Sequence, residues 1–425
     1  MSVYVVMEKI TQSGTRNGLP VLAVTSRHNI THCLTYVSSI DDFIGLDGDF
    51  VIPDFEFRVD NTINGEYFPN YPACRNFQAY YDSYIKGDRV HIDVHYVTAT
   101  SNISIFYGAL ESVIPSINFE TAELTFRATH IIKRALTELT MSYLISKDPY
   151  AGDRRGSVWE KYFDVANLLP TEYGLNQTID YTGLPDYLTT TGAGSKKNYQ
   201  LLRIHKANLE KYDTQLDFLG DFLRAMSSVI VWHNNKFSCY SIGSVWTANA
   251  TVALDAVLTE ISRSEPWEDH AEDVTVDAGD TKLSYKDFKN KVGDYGDGRR
   301  VYTSTEQRKK IIGLRSKMQN SNSSRVISAA MVEDLRMPTM YYSKISGQYR
   351  GDHKYTILLA DIIMPYLAAI NYSHWCLHRV KLDVEAEGLG YYPGRQYSIS
   401  GTAYKCTRTD KDLENETTKL TLVGA

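Results

Sequence analysis

Cysteine is sparse and unpaired in this chain. The five residues Cys33, Cys74, Cys239, Cys376 and Cys406 form no CxxC pair and no even framework. Free thiols in a reducing compartment are therefore expected, not a disulfide scaffold. Long apolar runs are also missing. The most apolar later stretch, residues 355–370, contains Asp361 and Pro365 and is shorter than the roughly 20 residues of a membrane span. The opening MSVYVVMEKITQ lacks a basic start and a long apolar core, so it is not read as a signal peptide. A cytosolically made, soluble protein with no membrane insertion is the expectation. Charge of one sign is not in large excess either. The net charge is −6, which gives no bulk attraction for nucleic acid. No GxSxG, HExxH or Walker motif occurs, and residues 189–197 (TTTGAGSKK) lack the GxxxxGK[ST] spacing of a phosphate loop. Carboxylates are plentiful, but nothing in their spacing pairs two of them for hydrolysis. The sequence carries no positive signal for an enzyme, and no cofactor is implied.

The 425 residues suffice for about two to four domains with real cores. A hydrophobic fraction of 43% and a charged fraction of 23% are ordinary for a globular protein. Tyrosine is the exception, with 31 residues against 5 Trp. Tyr joins an apolar body to a polar tip, which suits interfaces, and it also favours strands.

Period-two alternation is the strongest positive signal. Val90, Ile92, Val94 and Tyr96 alternate with His91, Asp93 and His95. Ile103, Ile105 and Tyr107 alternate with Ser104 and Phe106, and Leu124, Phe126 and Ala128 with Glu123, Thr125 and Arg127. Successive strand side chains point to opposite faces, so each run has one packed face and one facing solvent or a partner. Short turn-rich segments separate them, and antiparallel strands alone can be joined this tightly. Residues 89–128 therefore predict a β-meander.

Further strands are expected at 3–6, 21–25 and around Phe55, Phe57 and Val59. Residues 41–54 read as an acidic loop without EF-hand spacing. Residues 70–78 read as a loop, and 131–144 as a helix or long strand. Ser157 is a plausible N-cap for a short helix carrying Trp159, Phe163 and Leu168. Asp213 is expected to cap a helix bearing Leu216, Leu219, Phe222, Leu223 and Met226 at helical spacing. A hairpin around Asn234 and Asn235 follows. Residues 251–259 and 274–276 are candidate strands, and 277–298 are turn-rich. An apolar helix kinked at Pro365 is expected over 355–370. The final β segment alternates at Val380, Leu382, Val384 and Ala386, turns at Gly388 and at Pro393-Gly394, and continues as strands at 396–400 and 419–423.

His374-x-Cys376-x-His378 is the best metal candidate, since i, i+2 and i+4 share a strand face, but no fourth ligand is identifiable. His91, Asp93 and His95 share one strand face and read as solvated, lumen or interface residues. Residues 299–325 form the one basic block, eight Lys+Arg against Glu306, including Arg299, Arg300, Lys309 and Lys310. Without interleaved aromatics it reads as a solvated or protein-contacting face. Residues 1–145 hold 10 Lys+Arg and 16 Asp+Glu, a balance of −6.

The two β segments repeat one design. The stretches "IFYGALESVIPSINFETAELTFRA" and "LDVEAEGLGYYPGRQYSISG", with the helix-then-hairpin "QLDFLGDFLRAMSSVIVWHNNKFSCYSI" between them, resemble the trimeric hub proteins at the base of phage tails and related contractile injection machines. The resemblance implies an α+β, mainly β fold. It would have a first tube-like antiparallel β-barrel at 1–145, an α+β domain with helix and hairpin at 146–245, a loop-rich insertion with the basic segment at 246–350, and a helix plus second barrel at 351–425. It implies no catalysis. It implies a homotrimer that joins a hexameric tail tube to a central spike, touches other baseplate proteins and the tape-measure protein, and forms a channel through which DNA passes without specific binding. The location implied is the virion tail, assembled in the host cytoplasm. The alternatives are a particle-associated cell-wall-degrading hydrolase and a receptor-binding tail protein.

Overall fold

The computed structural model describes residues 3–142 with short interruptions, 179–184, most of 203–264, the segments 273–277, 282–284, 324–328, 331, 335–338 and 355–358, and 380–424. The expectations for Ser157 and its helix, for the loop at 189–197 and for residues 285–323 lie outside these, as does the apolar segment beyond 358.

The meander is present as strands Arg89–Val97, Asn102–Leu110, Ser116–Asn118 and Glu123–His130. It sits inside an eight-stranded sheet. The order is Leu19–Asn29, Val3–Arg16, Arg89–Val97, Asn102–Leu110, Glu123–His130, Asp54–Asp60 and Leu34–Val37, with Ser116–Asn118 beside Glu123–His130. The first two strands far exceed the expected 3–6 and 21–25. Register shifts between Lys9 and Ile10 and between Gln12 and Gly14 break the period-two pattern that sequence reading relies on.

One face of this sheet is apolar. Val5, Met7, Ile92, Val94, Phe57 and Leu124 are fully buried. Phe57 stacks on Phe126 at 5.1 Å, and Phe55 meets Phe106 at 5.2 Å. The segment expected as a loop at 70–78 instead leads into a helix, Phe77–Tyr80, capped by Asn76, whose Oδ1 accepts from Ala79 N at 2.9 Å. The helix widens into a π-turn over Tyr81–Ile85. Phe77, Tyr80, Tyr81 and Ile85 lie on its buried side, spaced for one helical face.

Gly108 marks where Asn102–Leu110 meets Glu123–His130. A Cβ there would sit 2.6 Å from the Phe106 ring and 2.7 Å from the Thr129 carbonyl oxygen. Gly108→Ala should therefore lose roughly 1–3 kcal/mol by overpacking, read as a lowered thermal midpoint. Gly14→Ala, where nothing lies within 4 Å, is the control. Equal midpoints for the two variants would contradict the packing described.

The second large sheet runs Val252–Ala253, Gln396–Ile399, Thr402–Asp412, Thr417–Gly424, Lys381–Glu387 and Val257–Ser264. Leu382, Val384, Ala386, Tyr397, Cys406, Leu420 and Leu422 form its core. Ile40–Ile44, read from sequence as part of an acidic loop, is a strand of this sheet, antiparallel to Thr402–Asp412, and Phe50–Val51 pairs beyond it. The chain thus leaves the first sheet after Val37, contributes a strand to the second, and returns at Asp54.

The mainly β, α+β class expected from the sequence is what the structure has. Barrel closure is a correction. Among the described residues no pairing joins the end strands of either eight-stranded sheet, so both are open. In the first, the end strand Leu34–Val37 is only 4 residues long, and the chain then departs for the other sheet.

Between the two sheets lies the expected helix and hairpin. Helix Gln215–Ala225 is capped by Thr214, not Asp213. Thr214 and Asp217 form a reciprocal capping box, with Asp217 N donating to Thr214 Oγ1 at 3.2 Å. Phe218, Leu219, Phe222 and Leu223 face inward. Strands Ser228–His233 and Lys236–Ser241 form the hairpin, and Ile179–Gly183 joins it in parallel. Residues 131–144 begin as helix Ile131–Glu138. Tyr355–Leu358 corrects the start of the helix expected at 355–370. It is a strand paired with Leu335–Pro338, a conformation that its β-branched Thr356 and Ile357 favour. Cys33, Cys74, Cys239 and Cys406 are free and buried, as the unpaired cysteine pattern predicts.

Candidate assembly interface and buried polar junction

Strand Arg89–Val97 sends Val90, Ile92 and Val94 to the core and His91, Asp93 and His95 to the opposite face. Register sets His91 opposite Glu8 and Ala109, Asp93 opposite Val6 and Tyr107, and His95 opposite Tyr4 and Ser104. Two short networks result. Tyr107 OH donates to Glu8 Oε2 at 2.9 Å, and Arg27 Nε donates to Glu8 Oε1 at 2.8 Å. His91 Nδ1 lies 3.1 Å from the same phenol oxygen, whose proton is committed to Glu8, so His91 carries its proton on Nδ1. In the second network, Ser104 Oγ donates to Asp93 Oδ1 at 2.7 Å, and His95 Nε2 lies 2.8 Å from Asp93 Oδ2.

This face is not the solvated one that alternation predicts. His91 and Glu8 are each 1% exposed and Asp93 is 8% exposed. Helix Ile131–Glu138 lies against strand Asn102–Leu110, and Arg89, next to His91, reaches Glu138. His91 and Asp93 are therefore interior residues of this chain. His95 keeps partial exposure. Burial pushes the His91 pKa down to about 3 and pushes Glu8 up, while the hydrogen bond that His95 donates to Asp93 raises that of His95. Ser, Asp and His are gathered here, but the serine hydroxyl is bound to the aspartate and not to the histidine. The nucleophile–base hydrogen bond of covalent catalysis is not formed. Among the described residues no group of three or more His, Cys, Asp or Glu is placed to hold a metal.

A second constellation, which sequence reading missed, fixes the crossing strand Ile40–Ile44 to strand Thr402–Asp412 within the second sheet. Lys411 Nζ is ion-paired with Asp42, and their side chains are 3% and 11% exposed. One residue along, Arg408 Nε donates to Asp41 Oδ1 at 2.8 Å. Lys411 and Asp42 are 369 residues apart in the chain, which is why local pattern cannot pair them. Burial raises the Asp42 pKa, and Lys411 opposes that rise. Around the pair, His130 meets Trp232 edge-on at 5.0 Å, and His233 stacks on Tyr392 at 3.9 Å. Burial, assisted by the Lys411 charge, lowers His130 to about 3 and His233 to about 4. Gly394 adopts φ +84°, and a Cβ there would lie 2.8 Å from Ile44 Cδ1. The Pro393-Gly394 turn is thus fitted against the crossing strand. The cavity left at this junction is about 40 Å³, lined by Asp42, His130, Trp232, Phe237 and Pro393 among others.

The remaining sequence candidates fall outside the described residues. These are the metal triplet His374, Cys376 and His378 and the basic residues Arg299, Arg300, Lys309 and Lys310.

No family model matches the chain, and no curated protein matches it. Solved structures do. The 43 kDa tail protein of prophage MuSo2 from Shewanella oneidensis aligns with 99% of this chain and 97% of its own, at 8% identity and a TM-score of 0.44. The tail protein from Neisseria meningitidis MC58 aligns with 100% and 97%, at 10% identity and a TM-score of 0.43. A chain of the Francisella PdpA-VgrG complex aligns with 99% of this chain but 58% of its own, at 7% identity and a TM-score of 0.40. These structural neighbours are tail proteins and a PdpA-VgrG complex. Among the described residues no helix is long and apolar enough to cross a membrane.

Proposed function

We propose that the chain is a structural hub of a phage tail baseplate. It acts as a homotrimeric adaptor that joins a hexameric tail tube to a central spike and surrounds a channel for DNA. The observation that carries this reading is the strand Ile40–Ile44. It threads from one eight-stranded sheet into the other and is held there by a buried ion pair. Two large sheets fixed to one another within each chain supply two matched faces per subunit. Three subunits then supply six, which is the number a hexameric tube presents. The excess of 16 carboxylates over 10 basic residues in positions 1–145 suits a passage to which DNA phosphate does not adhere. Tube, spike, tape-measure and neighbouring baseplate proteins are the partners, and no catalytic role is assigned. Native mass spectrometry of the purified chain should give three times its 48.2 kDa mass. A stable monomer that is also absent from isolated tails would overturn the proposal.

A further inference from the structure

The connection between strands Asn102–Leu110 and Glu123–His130 projects an arm whose tip is apolar and bare. Phe119 is 89% exposed, Ile114 69% and Ile117 37%. Apart from Phe119 and Ile114, no large hydrophobic side chain among the described residues exceeds 50% exposure, so these two, with Ile117 between them, mark a contact surface.

The arm is held in one shape. Tyr81 OH donates to the Val113 carbonyl at 3.0 Å, fixing its base to the buried helical turn. Ser112 Oγ accepts from Ile114 N at 3.1 Å. Asn118 Oδ1 accepts from Glu120 N at 3.0 Å, closing a side-chain-mediated turn under Phe119. Strand Ser116–Asn118 pairs with Glu123–His130 on one edge only. A preformed arm loses little conformational freedom on docking, so its exposed aromatic can act as an anchor.

Charge identifies the occupant. Positions 90–126 contain no Lys or Arg, whereas Glu111, Glu120 and Glu123 flank the apolar tip. Phosphate, in nucleic acid or in an anionic bilayer, is repelled by that rim. A second copy of the same module, itself at −6, is a poor electrostatic match for the same reason. We infer that the 112–121 arm docks into an apolar socket rimmed by Lys or Arg on a different protein of the assembled tail. This rests on the hub reading above and names one of that hub's contact points.

The test places p-benzoylphenylalanine at position 119 and irradiates isolated tails. The expected adduct joins this chain to another tail protein, at an apolar residue with Lys or Arg beside it. In parallel, the double variant Phe119→Ser with Ile114→Ser should keep the wild-type thermal midpoint, because both side chains are exposed. Its incorporation into tails should fall at least about tenfold, the loss of roughly 1.4 kcal/mol or more of docking energy. An adduct between two copies of this chain, no adduct in tails that contain the chain, or undiminished incorporation of the double variant would each overturn the inference while leaving the hub reading standing. Absence of the wild-type chain from tails would overturn both.

Discussion

Lys411→Ala should destabilise the folded chain by about 3–5 kcal/mol, because it leaves the Asp42 carboxylate buried without its counter-charge. The reason is the sum of two effects that normally oppose each other. Burial alone penalises the ionised carboxylate, and the ammonium repays that penalty only while it is present. The same logic makes the double replacement informative. Lys411→Met with Asp42→Leu removes both charges and fills the site with apolar side chains, so most of the stability should return. Urea unfolding of the two variants beside wild type measures this. If the single variant unfolds at the wild-type midpoint, the pair does not hold the crossing strand in the second sheet. If the double variant is as unstable as the single, the loss is one of packing and not of charge.

Acidification should weaken the fold through His91 and His130. Both are fully buried and held neutral, with pKa lowered from 6.5 to about 3. In the unfolded chain each takes up a proton near its ordinary value. Between that value and the folded one the unfolded state binds more protons, so stability falls as pH falls. From pH 7 to pH 5 the two together remove roughly 4 kcal/mol. His95 and Glu8, whose pKa values are raised, act in the opposite direction and reduce the net loss in the wild type. The difference between variants isolates the contribution. His130→Phe should halve the part that depends on these two histidines, leaving a shallower decline of unfolding free energy between pH 7 and pH 5. A slope identical to wild type would show that His130 is not held neutral.

The strands with strict alternation were legible from sequence because their inward residues are apolar, as at Val90, Ile92 and Val94 or Leu382, Val384 and Ala386. Strand Thr402–Asp412 was not, although it is the centre of the second sheet. Its buried positions include Thr407, Thr409 and Lys411, so no hydrophobic period exists to be read. Ile40–Ile44 was obscured by Asp41 and Asp42, which look solvated until their partners Arg408 and Lys411 are brought across the fold. The polar face of Arg89–Val97 misled in the reverse direction. His91 and Asp93 satisfy the pattern of an exposed face, yet His91 donates to Tyr107, Asp93 accepts from Ser104, and both are buried beneath neighbouring elements that include helix Ile131–Glu138. Local period reports which side chains are apolar. It does not report which polar ones find partners, and the Glu8–Tyr107 and Asp42–Lys411 pairs join residues far apart in the chain.

The central claim is geometric, and a cryo-electron microscopy reconstruction of the isolated tail tip tests it most directly. The account predicts three copies of this chain between tube and spike, each contributing both eight-stranded sheets to a ring around the channel. Density for the chain in six copies along the tube wall, at a peripheral fibre, or nowhere in the tail would contradict it.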